Sequence, residues 1–134
     1  MTLVFADTSY FIALLSPTDE AFHLAVDYSL LVDRVVTSEW VLLELADGVS
    51  DTGSRIQFSV LRDGLLANPL VEVVPLDMNI HRRAIDLFVA RPDKEWSLTD
   101  CVAFIIMTDW QIMEALTTDH HFEQAGFVAL LKRS

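Results

Sequence analysis

The sequence predicts an α/β domain of the three-layer α/β/α, Rossmann-like kind, with a central parallel sheet of four or five strands. Three observations predict it. Short apolar or β-branched runs alternate with helix-period stretches along the chain, the pattern of βαβ units. The 134 residues are enough for one well-filled core and too few for two, so 1–134 is expected to be a single domain. Four acids, Asp7, Glu44, Asp100 and Asp119, sit where strands give way to helices. In a parallel sheet such positions gather outside the carboxyl ends of the strands, where ligands bind.

Residues 2–6 (TLVFA) read as a buried strand, and 8–15 as a short helix stopped by Ser16-Pro17. Thr18-Asp19-Glu20 opens a second helix with Phe22, Ala25, Val26, Ser29, Leu30 and Val32 along one stripe. Residues 34–37 form a strand, and Ser38 is the N-cap of a third helix reaching about Val49. The polar stretch 50–54 is a loop. A fourth helix carries Ile56, Val60, Leu61 and Leu65 up to Asn68-Pro69. Residues 70–76 (LVEVVPL) alternate as a strand ended by Pro75, and Asp77 caps a fifth helix through Ala90. After Arg91-Pro92 and a polar link, Ser97 starts a sixth helix to Trp110. The chain closes with a strand over 112–118, a short helix over 120–125 stopped by Gly126, and a last strand over 127–131.

A hydrophobic fraction of 52% and a mean hydropathy of +0.37 describe a packed protein, not a disordered one. No apolar run approaches the roughly 18 residues of a membrane span. The opening MTLVFAD carries no basic stretch or cleavage signal, so a cytoplasmic protein is expected. One cysteine, Cys101, excludes an internal disulfide and a thiolate metal cluster. The net charge of −11, twenty acids against nine Lys and Arg, opposes nucleic acid in bulk. It suits a basic protein partner, or a substrate held locally through metal and a few arginines.

Converging carboxylates need help to stay ionised together. Two unit charges 4 Å apart repel by roughly 4 kcal/mol at an effective dielectric of 20. They take up protons or hold a divalent cation, and all-oxygen donors suit Mg²⁺ or Mn²⁺. Each acid also has an ordinary structural reading. Asp7 and Asp119 stand where N-caps stand, and Ser97-x-x-Asp100 fits a capping box. Glu44 lies among Val41, Leu42, Leu43 and Leu45, and its ordinary role would be a solvated stripe shared with Asp47. Neighbouring histidines on a helix diverge by about 100°, so His120 and His121 are not expected to grip one ion. The chain holds no HExxH, CxxC, Walker A, nucleophile-elbow or GxGxxG pattern, which narrows its chemistry to the carboxylates.

Four segments together resemble the PIN domain family, most closely its VapC-type toxin ribonucleases. FADTSYFIALL is similar to the family's opening strand and Asp-Thr/Ser turn, and TSEWVLLELADGV to its glutamate-bearing helix. WSLTDCVAFIIM resembles the Ser-x-Thr-Asp helix start, and ALTTDHHFEQAGF the closing Thr-x-Asp segment. The resemblance spans nearly the full chain. It implies that Asp7, Glu44, Asp100 and Asp119 bind Mg²⁺ or Mn²⁺, and that hydroxyls of Thr8 or Ser9, with Thr118, lie near the metals or the scissile phosphate. It implies endoribonuclease chemistry in which metal-activated water leaves a 5′-phosphate and a 3′-hydroxyl. It also implies a toxin role with a small basic antitoxin as partner, and a homodimer. The only local group of cations is Arg82, Arg83, Arg91 and Lys94.

Three other readings compete. A catalytically inert PIN-like protein-interaction module would typically lack one of the four acids. A receiver-type signalling domain would need acids paired near the first strand and a late-strand lysine, and Asp7 has no acidic neighbour before Asp19. A metal-dependent nuclease acting on DNA would use the same acids, since they do not read the 2′-hydroxyl.

Overall fold

A computed structural model describes residues 3–132, so residue 2 of the first expected strand lies outside it. Strand β1 (Leu3–Ala6) leads to helices α1 (Thr8–Leu15) and α2 (Phe22–Leu31), and β2 (Arg34–Ser38) to α3 (Glu39–Gly48) and α4 (Arg55–Ala67). Strand β3 (Val71–Val74) precedes α5 (Met78–Ala90) and α6 (Leu98–Asp109). The chain ends through β4 (Glu114–Leu116), α7 (His120–Gln124) and β5 (Val128–Ala129).

The strands form one sheet in the order β3-β2-β1-β4-β5, and every pairing is parallel. This settles the expected four or five strands at five. It also removes the receiver-type reading, whose doubly wound order is 2-1-3-4-5. The chain builds outward from β1 to β3, then returns to add β4 and β5 on the other side. Right-handed crossovers therefore set α1 to α4 on one face and α5 to α7 on the other. The helix contacts agree: α1 packs on α2 and α3, α3 on α4, α5 on α6, and α6 on α7. Helix α3 also touches α6, bringing the two layers together at one edge.

The sheet centre is apolar because a parallel sheet is covered on both faces. Val4, Phe5, Ala6, Ala115 and Leu116 are all 0% exposed. Beneath α6 and α7, Phe104 meets Phe122 and Trp96 edge-on at 5.0 and 5.1 Å between ring centroids. Such pairs add about 0.5–1.5 kcal/mol beyond their buried area. They fix the short α7, which is too short to be stable by itself.

Several boundaries differ from the sequence expectation. Helix α2 opens at Phe22, not at 18–20, because the Asp19 side chain accepts from Ala21 N at 2.8 Å and holds a turn there. Strand β4 begins at Glu114, not at 112. Gln111 takes a left-handed φ of 57° to leave α6, and Ile112 N donates back to Met107 O. Strand β5 is two residues long, yet Leu130 N and Leu131 N still donate to Ala115 O and Thr117 O beyond it.

Candidate functional site

The site lies at the switch point of the sheet. Strands β1 and β4 run side by side, Ala6 pairing with Leu116, and the crossovers after them leave in opposite directions. A crevice opens there, outside the carboxyl ends of the strands. It is a cleft of about 570 Å³ into which all four acids, Asp7, Glu44, Asp100 and Asp119, project. Thr8, Ser9, Thr118 and His121 also line it, with Ile12, Gly48, Glu95 and Ser97 on its rim.

Asp7 follows β1 directly. Its position is that of an N-cap for α1, but its carboxylate makes no cap hydrogen bond. The cap role expected of it is therefore unused. Instead Oδ2 accepts from Thr117 Oγ1 at 2.8 Å and from Ser9 Oγ at 3.2 Å. The residue is 6% exposed. Burial pushes its carboxyl up to about 6 from an ordinary 3.8, and the charges of Asp100 and Glu44 push the same way; hydrogen bonds from Thr117 and Thr8 oppose them.

Asp100 opens α6, and its capping-box role is fully formed. Ser97 Oγ accepts from Asp100 N at 3.0 Å, and Asp100 Oδ2 accepts from Ser97 N at 3.1 Å. The same Oδ2 lies 3.0 Å from His121 Nδ1. Burial raises the Asp100 carboxyl, and the nearby charge of Asp119 adds to this. The box thus clamps the carboxylate in the cleft while capping the helix.

Asp119 is the N-cap of α7, accepting from His121 N at 2.9 Å, and is half-buried. Glu44 is exposed on α3, whose core face is Trp40, Val41 and Leu45. It makes no hydrogen bond or ion pair to the described residues and reaches the cleft as an unrestrained arm, with Gly48 one turn along.

The hydroxyls divide unevenly. Ser9 Oγ lies 3.2 Å from Thr117 Oγ1 and accepts from Thr118 N at 3.1 Å, tying the β1 and β4 exits together. Thr118 is exposed at the cleft wall. Among the described residues, Thr8 Oγ1 alone is a buried side-chain polar atom without a hydrogen-bond partner. Such an atom calls for a ligand or water.

Two residues that sequence reasoning passed over are central. Thr117, 0% exposed, holds Asp7 and also accepts from Asp119 N at 3.0 Å. Strand alternation gave no way to choose it over Thr118, because Ala115 and Leu116 are buried on both faces. His121 places Nδ1 within 3.3 Å of Asp119 Oδ1 as well as beside Asp100. Contrary to the expected divergence, the His120 and His121 rings lie 4.5 Å apart, and donor atoms of Asp119, His120 and His121 fall within 4.8 Å of one another. They occupy the opening turn after an N-cap, where both side chains fold back over the capping acid.

A hard divalent cation fits this set. The donors are carboxylate oxygens, burial and neighbouring charge disfavour the ionised form of Asp7, and Thr8, which lines the same cleft, carries a buried hydroxyl without a partner. Among the described residues, no helix is long and apolar enough to cross a membrane.

The PIN domain family model matches residues 4–128, and the chain belongs to that family. Among solved structures it is similar to VapC20 of Mycobacterium tuberculosis, a sarcin-ricin-loop-cleaving toxin, at 25% identity and a TM-score of 0.83. That match covers 93% of this chain and 96% of the other. The FitAcB structure from Neisseria gonorrhoeae matches at 20% identity and TM-score 0.63, covering 94% of each chain. VapBC2 from Rickettsia felis, solved on a promoter DNA fragment, matches at 13% identity and TM-score 0.67 over 96% of this chain and 97% of that one. These last two likenesses speak for the fold. No curated protein matches the sequence.

Proposed function

We propose that the chain is a Mg²⁺- or Mn²⁺-dependent endoribonuclease, the toxin of a type II toxin-antitoxin pair. The observation that carries the reading is the convergence of Asp7, Glu44, Asp100 and Asp119 on one cleft at the sheet's switch point. Membership of the PIN family and the likeness to a toxin that cleaves RNA support it. A bound divalent ion supplies Lewis-acid chemistry: it lowers the pKa of water and neutralises phosphate charge.

The chain's own residues do the rest. Asp7, held by Thr117 and Ser9, and Asp100, held by Ser97, are the fixed acids of the cleft. Asp119 joins them from the α7 cap, and Glu44 closes in from the facing layer. Thr8, with its free hydroxyl, and Thr118 at the wall are the candidate contacts to water or phosphate. A small basic antitoxin and a second copy of the chain complete the reading. The acidic balance and exposed apolar side chains on α4 (Ile56, Val60) and α5 (Phe88, Val89) support these partners.

The test is cleavage of a broad RNA pool by purified protein with Mg²⁺ or Mn²⁺ against EDTA, beside Asp7→Asn and Asp100→Asn. Metal-dependent cleavage lost in both variants is expected. Retained cleavage in both would overturn the site. Absent cleavage together with absent metal binding would favour the inert interaction module.

A further inference from the structure

We propose that His121 supplies a nitrogen ligand to the ion held in the acid cleft, so that the site selects Mn²⁺ over Mg²⁺. The proposal rests on the metal-dependent reading above and adds a donor of a different kind. Its ground is geometric. His121 Nδ1 lies 3.0 Å from Asp100 Oδ2 and 3.3 Å from Asp119 Oδ1. Neighbouring ligands in an octahedron with bonds of about 2.1 Å are about 3 Å apart, the bond length times the square root of two. His121 Nδ1 is thus spaced from each of these two carboxylate oxygens as adjacent corners around one ion are. A divalent ion would bridge the imidazole and the carboxylates in place of their direct contact.

Three features separate this from an ordinary buried ion pair. The donors come from two elements, the start of α6 and the α7 opening, each fixed by its own capping bonds. The side chain of His121 is 18% exposed, enough for an ion to reach it. Thr8, 5% exposed and lining the same cleft, keeps an unpartnered Oγ1 that points to a missing ligand there. Imidazole is a poor partner for Mg²⁺, which prefers oxygen and holds its waters, but a good one for first-row transition ions. His120 is the natural comparison, since its side chain is 59% exposed and its Nδ1 lies 3.8 Å from Asp119 Oδ1.

The experiment is calorimetric titration of the full chain with Mn²⁺ and with Mg²⁺, joined to pulsed electron paramagnetic resonance of the Mn²⁺ form. It compares the wild type, His121→Ala and His120→Ala, with thermal melts to verify folding. A nitrogen coupling on Mn²⁺ is expected in the wild type and in His120→Ala, and its loss in His121→Ala. Mn²⁺ affinity should fall about tenfold or more in His121→Ala while Mg²⁺ affinity changes less than about twofold. Mn²⁺ bound without nitrogen coupling in the folded wild type overturns the proposal, whatever the variants do. So does equal weakening of both ions, which would make His121 a positioning residue for Asp100 and Asp119. Coupling lost in His120→Ala but kept in His121→Ala overturns it too. In those three cases the metal-dependent reading stands. Absence of binding by either ion in the wild type would take down both.

Discussion

Asp7 concentrates the conflict that the fold imposes on its site. It is buried beside two other acids, and its carboxyl titrates near 6 when folded against 3.8 ordinarily. The folded chain therefore holds a proton that the unfolded chain has released between those values. Stability from this group is full below the unfolded pKa and is lost as pH rises through the folded one. A shift of roughly two units corresponds to about 3 kcal/mol. In EDTA, Asp7→Asn should gain on the wild type by up to that amount between about pH 4 and about pH 8. Urea denaturation at both pH values checks it, and parallel profiles would refute it. Thr117→Val should act oppositely at the same place. It leaves Asp7 Oδ2 and the Asp119 N–H each short of a partner, costing about 1–3 kcal/mol, and raises the Asp7 titration further. Thr117→Ser should restore both, read by NMR titration of the Asp7 carboxyl.

Caps decide which elements were legible from the sequence. Ser38, Asp77 and Ser97 were expected to cap α3, α5 and α6, and each does, accepting from Val41 N, from Asn79 and Ile80 N, and from Asp100 N. A side chain that bonds the backbone a few residues ahead leaves its mark in local sequence. The same local chemistry misled at Asp19, which spends its carboxylate on a turn and delays α2. What spacing cannot carry is contact across the sheet. Thr117 meets Asp7 over 110 positions and His121 meets Asp100 over 21, so neither partnership showed in a local pattern. The four acids were visible as positions, whereas their hydrogen-bonded support was not. Ser97→Ala tests how far a cap also serves the cleft. It should cost about 1 kcal/mol in thermal unfolding and loosen Asp100, lowering RNA cleavage beyond what the stability loss explains. Ser97→Thr, which keeps the hydroxyl, should retain most of both.

At the scale of the molecule, charge is the feature that sets this chain apart from a typical nucleic-acid binder. Its net charge is −11, and half of the eight Lys and Arg among the described residues are already in ion pairs. Arg62 pairs with Glu39, Arg83 with Asp109, Arg91 with Asp93 and Lys132 with Glu123. Arg91 also lies over the Trp96 ring, 5.1 Å from its centroid, and so is spent on both sides. A protein that neutralises phosphates with Lys and Arg loses affinity steeply as salt rises, because it releases counterions. This chain has few such contacts to offer, and its long-range field repels RNA. Screening that field over a Debye length of about 10 Å at 0.1 M salt should help association. We expect the KM for RNA, at fixed saturating metal, to stay flat or fall as monovalent salt rises from about 0.02 to about 0.2 M. A steep rise in KM would mean that the substrate is gripped by cations after all, and Arg82 and Lys94, which make no ion pair among the described residues, would be the first to replace.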